Sequence, residues 1–196
     1  MTTANKLTIF RVILIPFMIG ILYIDSLFIT QTQFLSMTIG QIIFAVIFVV
    51  ASLTDFLDGY IARKYNQITT FGKFLDPIAD KVLVFAALYY LMVIMPDRVP
   101  IWTVVLIMIR EFMVTGIRLL AVERGNVIAA SKLGKYKTAT TMVAIIILLF
   151  NDFGLTMLDP NFEWFGNIVY YFAVFFTALS GYDYFMKNKK VVLESI

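Results

Sequence analysis

The chain has 196 residues, 61% of them hydrophobic and 15% charged, with a formal net charge of +3 and an isoelectric point near 9.0. Soluble domains carry about 45–50% apolar and about 25% charged residues, so this composition points to lipid as the solvent for much of the surface. Having neither Cys nor His, the chain is excluded from disulfide, thiolate, Ser-His-Asp, phosphohistidine and haem-His chemistry and from the usual zinc sites, and so small a positive excess suits an anionic lipid surface rather than a nucleic acid.

In chain order, residues 1–6 show no charged region followed by a cleavage site, so no removable signal peptide is expected. A spanning helix needs about 20 predominantly apolar residues. Six segments meet that pattern: 7–28, 37–62, 77–95, 100–121, 134–150 and 164–186. Gly72 falls between the second and third, and Asp76-Pro77 reads as an N-cap followed by the first helical residue. Pro96 and Pro100 bracket the turn after the third, Gly125 and Gly134 flank the loop before the fifth, and a polar run over 151–163 precedes the sixth. The expected fold is an all-α integral membrane protein with six transmembrane helices in a single domain over 1–196.

The basic residues set an orientation. Loops 29–36 and 151–163 hold no Lys or Arg, and 96–99 holds only Arg98. Lys6, Arg63, Lys64, Lys73, Arg124, Lys132, Lys187, Lys189 and Lys190 lie at the other ends of the spans. The positive-inside rule then places both termini and the 63–76 and 122–133 loops in the cytoplasm, and an even number of spans agrees in putting both termini on one side. Asp25, Asp152, Asp159 and Glu163 fall on the outer side and are expected to be solvated.

Residues 52–81 read SLTDFLDGYIARKYNQITTFGKFLDPIADK. Asp55 and Asp58 share a helix face by their spacing of three, and Asp76 and Asp80 by their spacing of four. The loop between the two spans is short, so the helices are antiparallel neighbours and both acid pairs reach the same depth near the cytoplasmic boundary. Four carboxylates there repel one another, and ionised groups in a membrane are costly. Bound cations relieve both problems. An all-oxygen set suits Mg²⁺ or Mn²⁺, with Ca²⁺ also possible, and a pair of such ions is the usual clamp for in-line attack at phosphorus. Gly59 and Ala62 leave a strip of helix without bulk where a nucleobase and ribose can press on the backbone, and Arg63 can neutralise a phosphate. The plainer reading is that two of the acids cap helices and two pair with Arg63, Lys73 or Lys81; for all four acids at these paired spacings it is the weaker one.

The run Asp55-x2-Asp58-Gly59-x2-Ala62-Arg63-x8-Gly72-x3-Asp76-x3-Asp80 resembles the full signature of the CDP-alcohol phosphotransferase family. The resemblance implies a six-helix membrane fold, a homodimer, and a dinuclear metal site open to the cytoplasm. It implies that Asp55, Asp58, Asp76 and Asp80 surround the metals and that Asp80 serves as general base. It also implies that Gly59, Ala62, Arg63 and Gly72 line the CDP site. Three further segments are similar to the bacterial branch of the family that makes phosphatidylglycerophosphate: Asn5-Lys6-Leu7-Thr8-Ile9-Phe10-Arg11, Ile109-Arg110-Glu111-Phe112 with Thr115, Gly116 and Arg118, and Gly134-Lys135-Tyr136-Lys137-Thr138. They add Asn5 and Thr8 to the CDP-binding set and imply CDP-diacylglycerol and glycerol 3-phosphate as substrates. Asn5 and Arg11 also admit the simpler reading of interfacial anchors for the first span.

An anionic acceptor also makes physical sense. Arg110 and Arg118 lie on one helical row inside an apolar span, which is costly unless they face a partner or a wet cavity. Glu111, seven residues before Arg118, shares that stripe and can orient it. Lys135 and Lys137 enter the fifth span from the cytoplasm. With the arginines they make a candidate pocket for the acceptor phosphate beside the metals; the plainer alternative is an Arg–Glu network that only packs the fourth span. Other acceptors (inositol phosphate, serine, phosphatidylglycerol) would use the same chemistry. A transporter would line a path with its charges, but here both acid pairs sit at one side. An inert scaffold would bind no metal and tolerate Asp→Ala at all four positions.

Overall fold

A computed structural model describes residues 3–64, 70–123, 125, 128 and 131–193. Six helices of 18 to 31 residues appear among them: α1 (Thr3–Ile21), α2 (Ile39–Lys64), α3 (Thr70–Ile94), α4 (Ile101–Glu123), α5 (Lys132–Leu149) and α6 (Glu163–Leu193). They follow the six apolar segments of the sequence in order. By length and composition, Phe74–Ile94 and Glu163–Lys189 each suffice to cross a membrane. Leu133–Leu149 and Asn151–Leu158, bent by 60° at their junction, add a third if they form one broken span. Large apolar side chains stand exposed along the helices, among them Phe17, Val93, Leu119, Ile168 and Phe175, the pattern of surfaces that lipid covers.

Two boundaries differ from those expected. The third helix begins at Thr70, so Asp76 and Pro77 lie inside it rather than at its start. Phe71, Phe74 and Leu75 extend the apolar three- and four-residue spacing upstream of the proline, and Pro77 costs the helix one backbone bond without ending it. The first helix stops at Ile21, where a turn and a one-turn helix (Ser26–Ile29) take over. The start of α2 is fixed by a reciprocal cap: the Gln41 backbone N–H donates to Thr38 Oγ1 at 3.3 Å, and the Thr38 N–H donates to Gln41 Oε1 at 2.8 Å.

The described residues group into two compact units. The first comprises Met1–Tyr90 and Ile146–Phe162. There α1 packs on α2, and Ile15, Met18, Phe44, Phe48, Leu83 and Leu88 are buried. The Phe44 and Tyr90 rings lie 4.1 Å apart, joining α2 to α3. Residues 151–154 all have positive φ, Gly154 at 77°. That backbone conformation favours glycine at 154, and a Cβ there would also push on the Leu35 side chain. The Asn151 amide donates to the Leu35 carbonyl at 3.0 Å. This folded turn draws Asp152 inside, at 0% exposure, correcting the expectation that it is solvated.

The second unit comprises Leu91–Ile145 and Glu163–Ile196. Here α4 packs on α6. Val104, Ile107, Val114 and Ile117 are buried on one helix and Tyr170, Ala173, Val174 and Tyr184 on the other. Thr103 and Tyr170 share a buried hydroxyl–hydroxyl bond of 2.6 Å. Arg98 donates to Asn167 at 2.7 Å and to the Glu163 carbonyl, so this loop cation ties the turn after α3 to the start of α6.

Candidate active site

In the first unit a polar ladder joins three helices. Thr8 and Arg11 sit one turn apart on α1, and Asp76 and Asp80 one turn apart on α3. The Thr8 hydroxyl donates to Asp76 Oδ1 at 2.8 Å. Arg11 Nη1 donates to Asp80 Oδ1 at 2.8 Å and lies 2.8 Å from Asp55 Oδ1 on α2. One guanidinium nitrogen therefore serves carboxylates from two helices. Arg11 is fully buried, whereas the Asp55 and Asp80 side chains keep 35% and 44% of their exposure. The buried charge is compensated at close range, as a buried arginine requires, and the acids remain open to a ligand.

Asp55 and Asp80 thus meet on Arg11, and Asp76, one turn from Asp80, is held by Thr8. The side chains of Asp58, Gly59, Ala62 and Arg63 on α2, and of Asn5 on α1, lie outside the described residues. Gly72 is buried in the first turn of α3. Thr8, expected at the CDP site, is hydrogen-bonded to an acid. Among the described residues no group of three acids is close enough to hold a metal ion by itself. The donor set nonetheless suits a hard divalent cation: all its donors are carboxylate oxygens, and Asp55 and Asp80 already converge on one positively charged atom. Arg11, for which interfacial anchoring was the plainer alternative, is the residue that the sequence reading gave no role in the site. Its signal was available, because an arginine inside an apolar run implies a partner.

In the second unit Glu111 gathers two cations. Its Oε1 accepts from Arg110 Nη1 at 2.9 Å and pairs with Lys137 Nζ. Arg110 Nε also donates to Ser180 on α6 at 3.1 Å. Lys137 is buried at 5% exposure. Two cations share one carboxylate, so the three groups together carry a net positive charge. Gly134 lines this cluster, since a Cβ there would lie 3.6 Å from Arg110 Nη2. At Gly181 a Cβ would come within 2.9 Å of the Arg110 stem, so glycine lets α6 approach the arginine closely.

Two expectations for this cluster change. Arg118 stands two turns along α4, where its Nε donates to the Tyr184 hydroxyl at 3.1 Å and its guanidinium carbon lies 5.6 Å from the Tyr184 ring centre. The described partners of the Glu111 carboxylate are accordingly Arg110 and Lys137, and those of Arg118 are on α6. Lys135 is exposed whereas Lys137 is buried, because residues two apart on a helix face different directions. Ser180 and Tyr184 were missed, since the sixth span carries no charged motif to mark them.

Comparison with known proteins identifies relatives along nearly the whole chain. The sequence pattern described as CDP-alcohol phosphatidyltransferase matches residues 1–179. A Bacillus subtilis (strain 168) protein named CDP-diacylglycerol–glycerol-3-phosphate 3-phosphatidyltransferase is 43% identical over 185 residues, covering 94% of this chain and 93% of its own. A Rickettsia felis protein of the same name is 39% identical over 95% of this chain and 94% of its own. One from Shigella flexneri serotype 5b is 36% identical over 96% and 95%.

Proposed function

The chain belongs to the CDP-alcohol phosphatidyltransferase family, and on that footing we propose that it transfers the phosphatidyl group of CDP-diacylglycerol to sn-glycerol 3-phosphate, releasing phosphatidylglycerophosphate and CMP. The observation that carries this reading is the near-full-length likeness to relatives of that name at 36–43% identity. The acidic cluster on α2 and α3 and the cationic cluster on α4 and α5 support it, since a diphosphate donor and a phosphate-bearing acceptor call for one of each.

Asp55, Asp58, Asp76 and Asp80 would hold the divalent ions, Mg²⁺ or else Mn²⁺, whose charge neutralises the donor's diphosphate. Arg11 and Thr8 preset the carboxylates by pinning one oxygen each of Asp55, Asp80 and Asp76. Arg110 and Lys137, oriented by Glu111, take the phosphate of glycerol 3-phosphate. Arg118 and Lys135 contribute to the positive field that attracts the acceptor. Gly59, Ala62 and Gly72 give the cytidine close access to backbone, with Asn5 as a polar partner.

The acceptor hydroxyl oxygen attacks the phosphorus that carries the diacylglycerol. The bond from that phosphorus to the bridging oxygen breaks, and CMP departs with the electron pair, its phosphate met by Arg63. The hydroxyl proton passes to Asp80, whose partial exposure leaves it within reach of substrate. A carboxylate is a weak base for an alcohol, so it accepts the proton late, as the new bond forms. Positioning and charge compensation carry the rate.

The Lys and Arg distribution supports six crossings of the cytoplasmic membrane, with both termini and the acids on the cytoplasmic side, and the family resemblance supports a homodimer. Purified protein supplied with CDP-diacylglycerol and, in turn, glycerol 3-phosphate, inositol phosphate, serine or phosphatidylglycerol tests the reaction. CMP release with glycerol 3-phosphate alone is expected; release with another acceptor and none with this one would overturn the assignment.

A further inference from the structure

Within the second unit, α4 and α6 run side by side in the same direction: Thr103 meets Tyr170, Arg110 meets Ser180 and Arg118 meets Tyr184, in ascending order on both helices. The last two contacts share one geometry. In each, an arginine of α4 donates from Nε to a hydroxyl of α6 at 3.1 Å. Ser180 and Tyr184 are buried, at 0% and 3% exposure. The Ser180 hydroxyl donates its own hydrogen to the Thr177 carbonyl at 3.0 Å, so toward Arg110 it can only accept. The Tyr184 ring also lies under the Arg118 guanidinium, 5.6 Å from its carbon.

An arginine held at Nε keeps its outer nitrogens for something else. Arg110 gives Nη1 to Glu111. Among the described contacts, Nη2 of Arg110 and both Nη atoms of Arg118 then remain as donors for an anion. The spacing of the anchors also matters. Arg110 and Arg118 are separated by a rise of about 12 Å, whereas Ser180 and Tyr184 are one turn apart, about 6 Å. The long Tyr184 and Arg118 side chains lean toward the N-terminal ends of their helices, toward the level of Ser180 and Arg110. Arg118 is exposed, and an exposed arginine loses rotamer freedom when it binds a ligand. Its contact with Tyr184 removes part of that freedom beforehand. We propose that Ser180 and Tyr184 are positioning residues for the acceptor: they hold Arg110 and Arg118 by Nε so that both guanidiniums present their outer nitrogens to the phosphate of glycerol 3-phosphate. The proposal rests on the reaction assigned above and adds α6 to the elements that shape its acceptor site.

Ser180→Ala and Tyr184→Phe each remove one hydroxyl, and the second keeps the ring under Arg118. Steady-state kinetics on the full chain in mixed micelles is expected to show the KM for glycerol 3-phosphate raised about fivefold in each, with kcat and the KM for CDP-diacylglycerol changed less than about twofold. Because Tyr184 acts through Arg118, Tyr184→Phe introduced into an Arg118→Met background is expected to change the acceptor KM less than about twofold. An unchanged acceptor KM in both single variants would overturn the proposal. So would a shift of kcat and both KM values together, the mark of helices that merely pack less well, or the same fivefold effect with Arg118 already gone. Failure of the unmodified chain to release CMP with glycerol 3-phosphate would instead overturn the reaction itself.

Discussion

Replacing Arg11 by Met tests whether one guanidinium holds the acidic cluster together. The substitution keeps much of the side chain's bulk and removes the charge that lies 2.8 Å from both Asp55 and Asp80. The two oxygens sharing that nitrogen are no farther apart than twice that distance. Two carboxylates about 5 Å apart repel by about 3 kcal/mol at an effective dielectric of about 20. Breaking a fully buried ion pair costs about 3–5 kcal/mol, but here both acids are partly exposed and solvent screens them. A loss of about 2 kcal/mol is therefore expected, read as a lowered midpoint of denaturant unfolding in detergent. Arg11→Lys, which keeps the charge, is expected to recover more than half of it. In the double variant with Asp80→Asn the repulsion is gone, so Arg11→Met should cost much less there than in the unmodified background. An Arg11→Met protein as stable as the unmodified one, or an identical loss in both backgrounds, would refute the reasoning.

Lys137→Met removes a buried cation from the Glu111 cluster and is expected to raise the KM for glycerol 3-phosphate by about tenfold or more, the worth of a charge-assisted hydrogen bond. Lys135→Met, at an exposed position, is expected to change it less than about threefold at physiological salt; steady-state kinetics on both variants checks the contrast. Gly40→Ala places a Cβ 2.4 Å from the Phe28 ring and is expected to destabilise the protein by about 1–3 kcal/mol through overpacking, measured by the same unfolding assay.

Much of this was legible in the sequence because two signals are strong. Long apolar runs give helices in lipid almost by necessity, since backbone groups must bond within the segment. Paired acids at helical spacing announce a shared face, and Asp76 and Asp80 do share one across from Thr8 and Arg11. The rest depended on tertiary partners. Pro77 looked like a helix start because its local preference was read without the apolar residues before it. Arg11 could be read as a mere anchor because Asp55 and Asp80, which it holds, lie 44 and 69 residues away along the chain. Lys135 and Lys137 looked equivalent until helix phase separated them. Ser180 and Tyr184 accept from arginines on another helix, a role that no local pattern reports.

The central claim is that the four aspartates bind divalent ions and that Asp80 accepts the acceptor's proton. Its most direct test is CMP release from CDP-diacylglycerol and glycerol 3-phosphate in excess chelator, then with Mg²⁺ restored, for the unmodified chain and for Asp80→Asn. Activity is expected to vanish with chelator and return with Mg²⁺, and Asp80→Asn is expected to fall by about 10²–10⁴-fold at saturating metal. Full turnover in chelator, or near-normal turnover of Asp80→Asn with metal present, would contradict it.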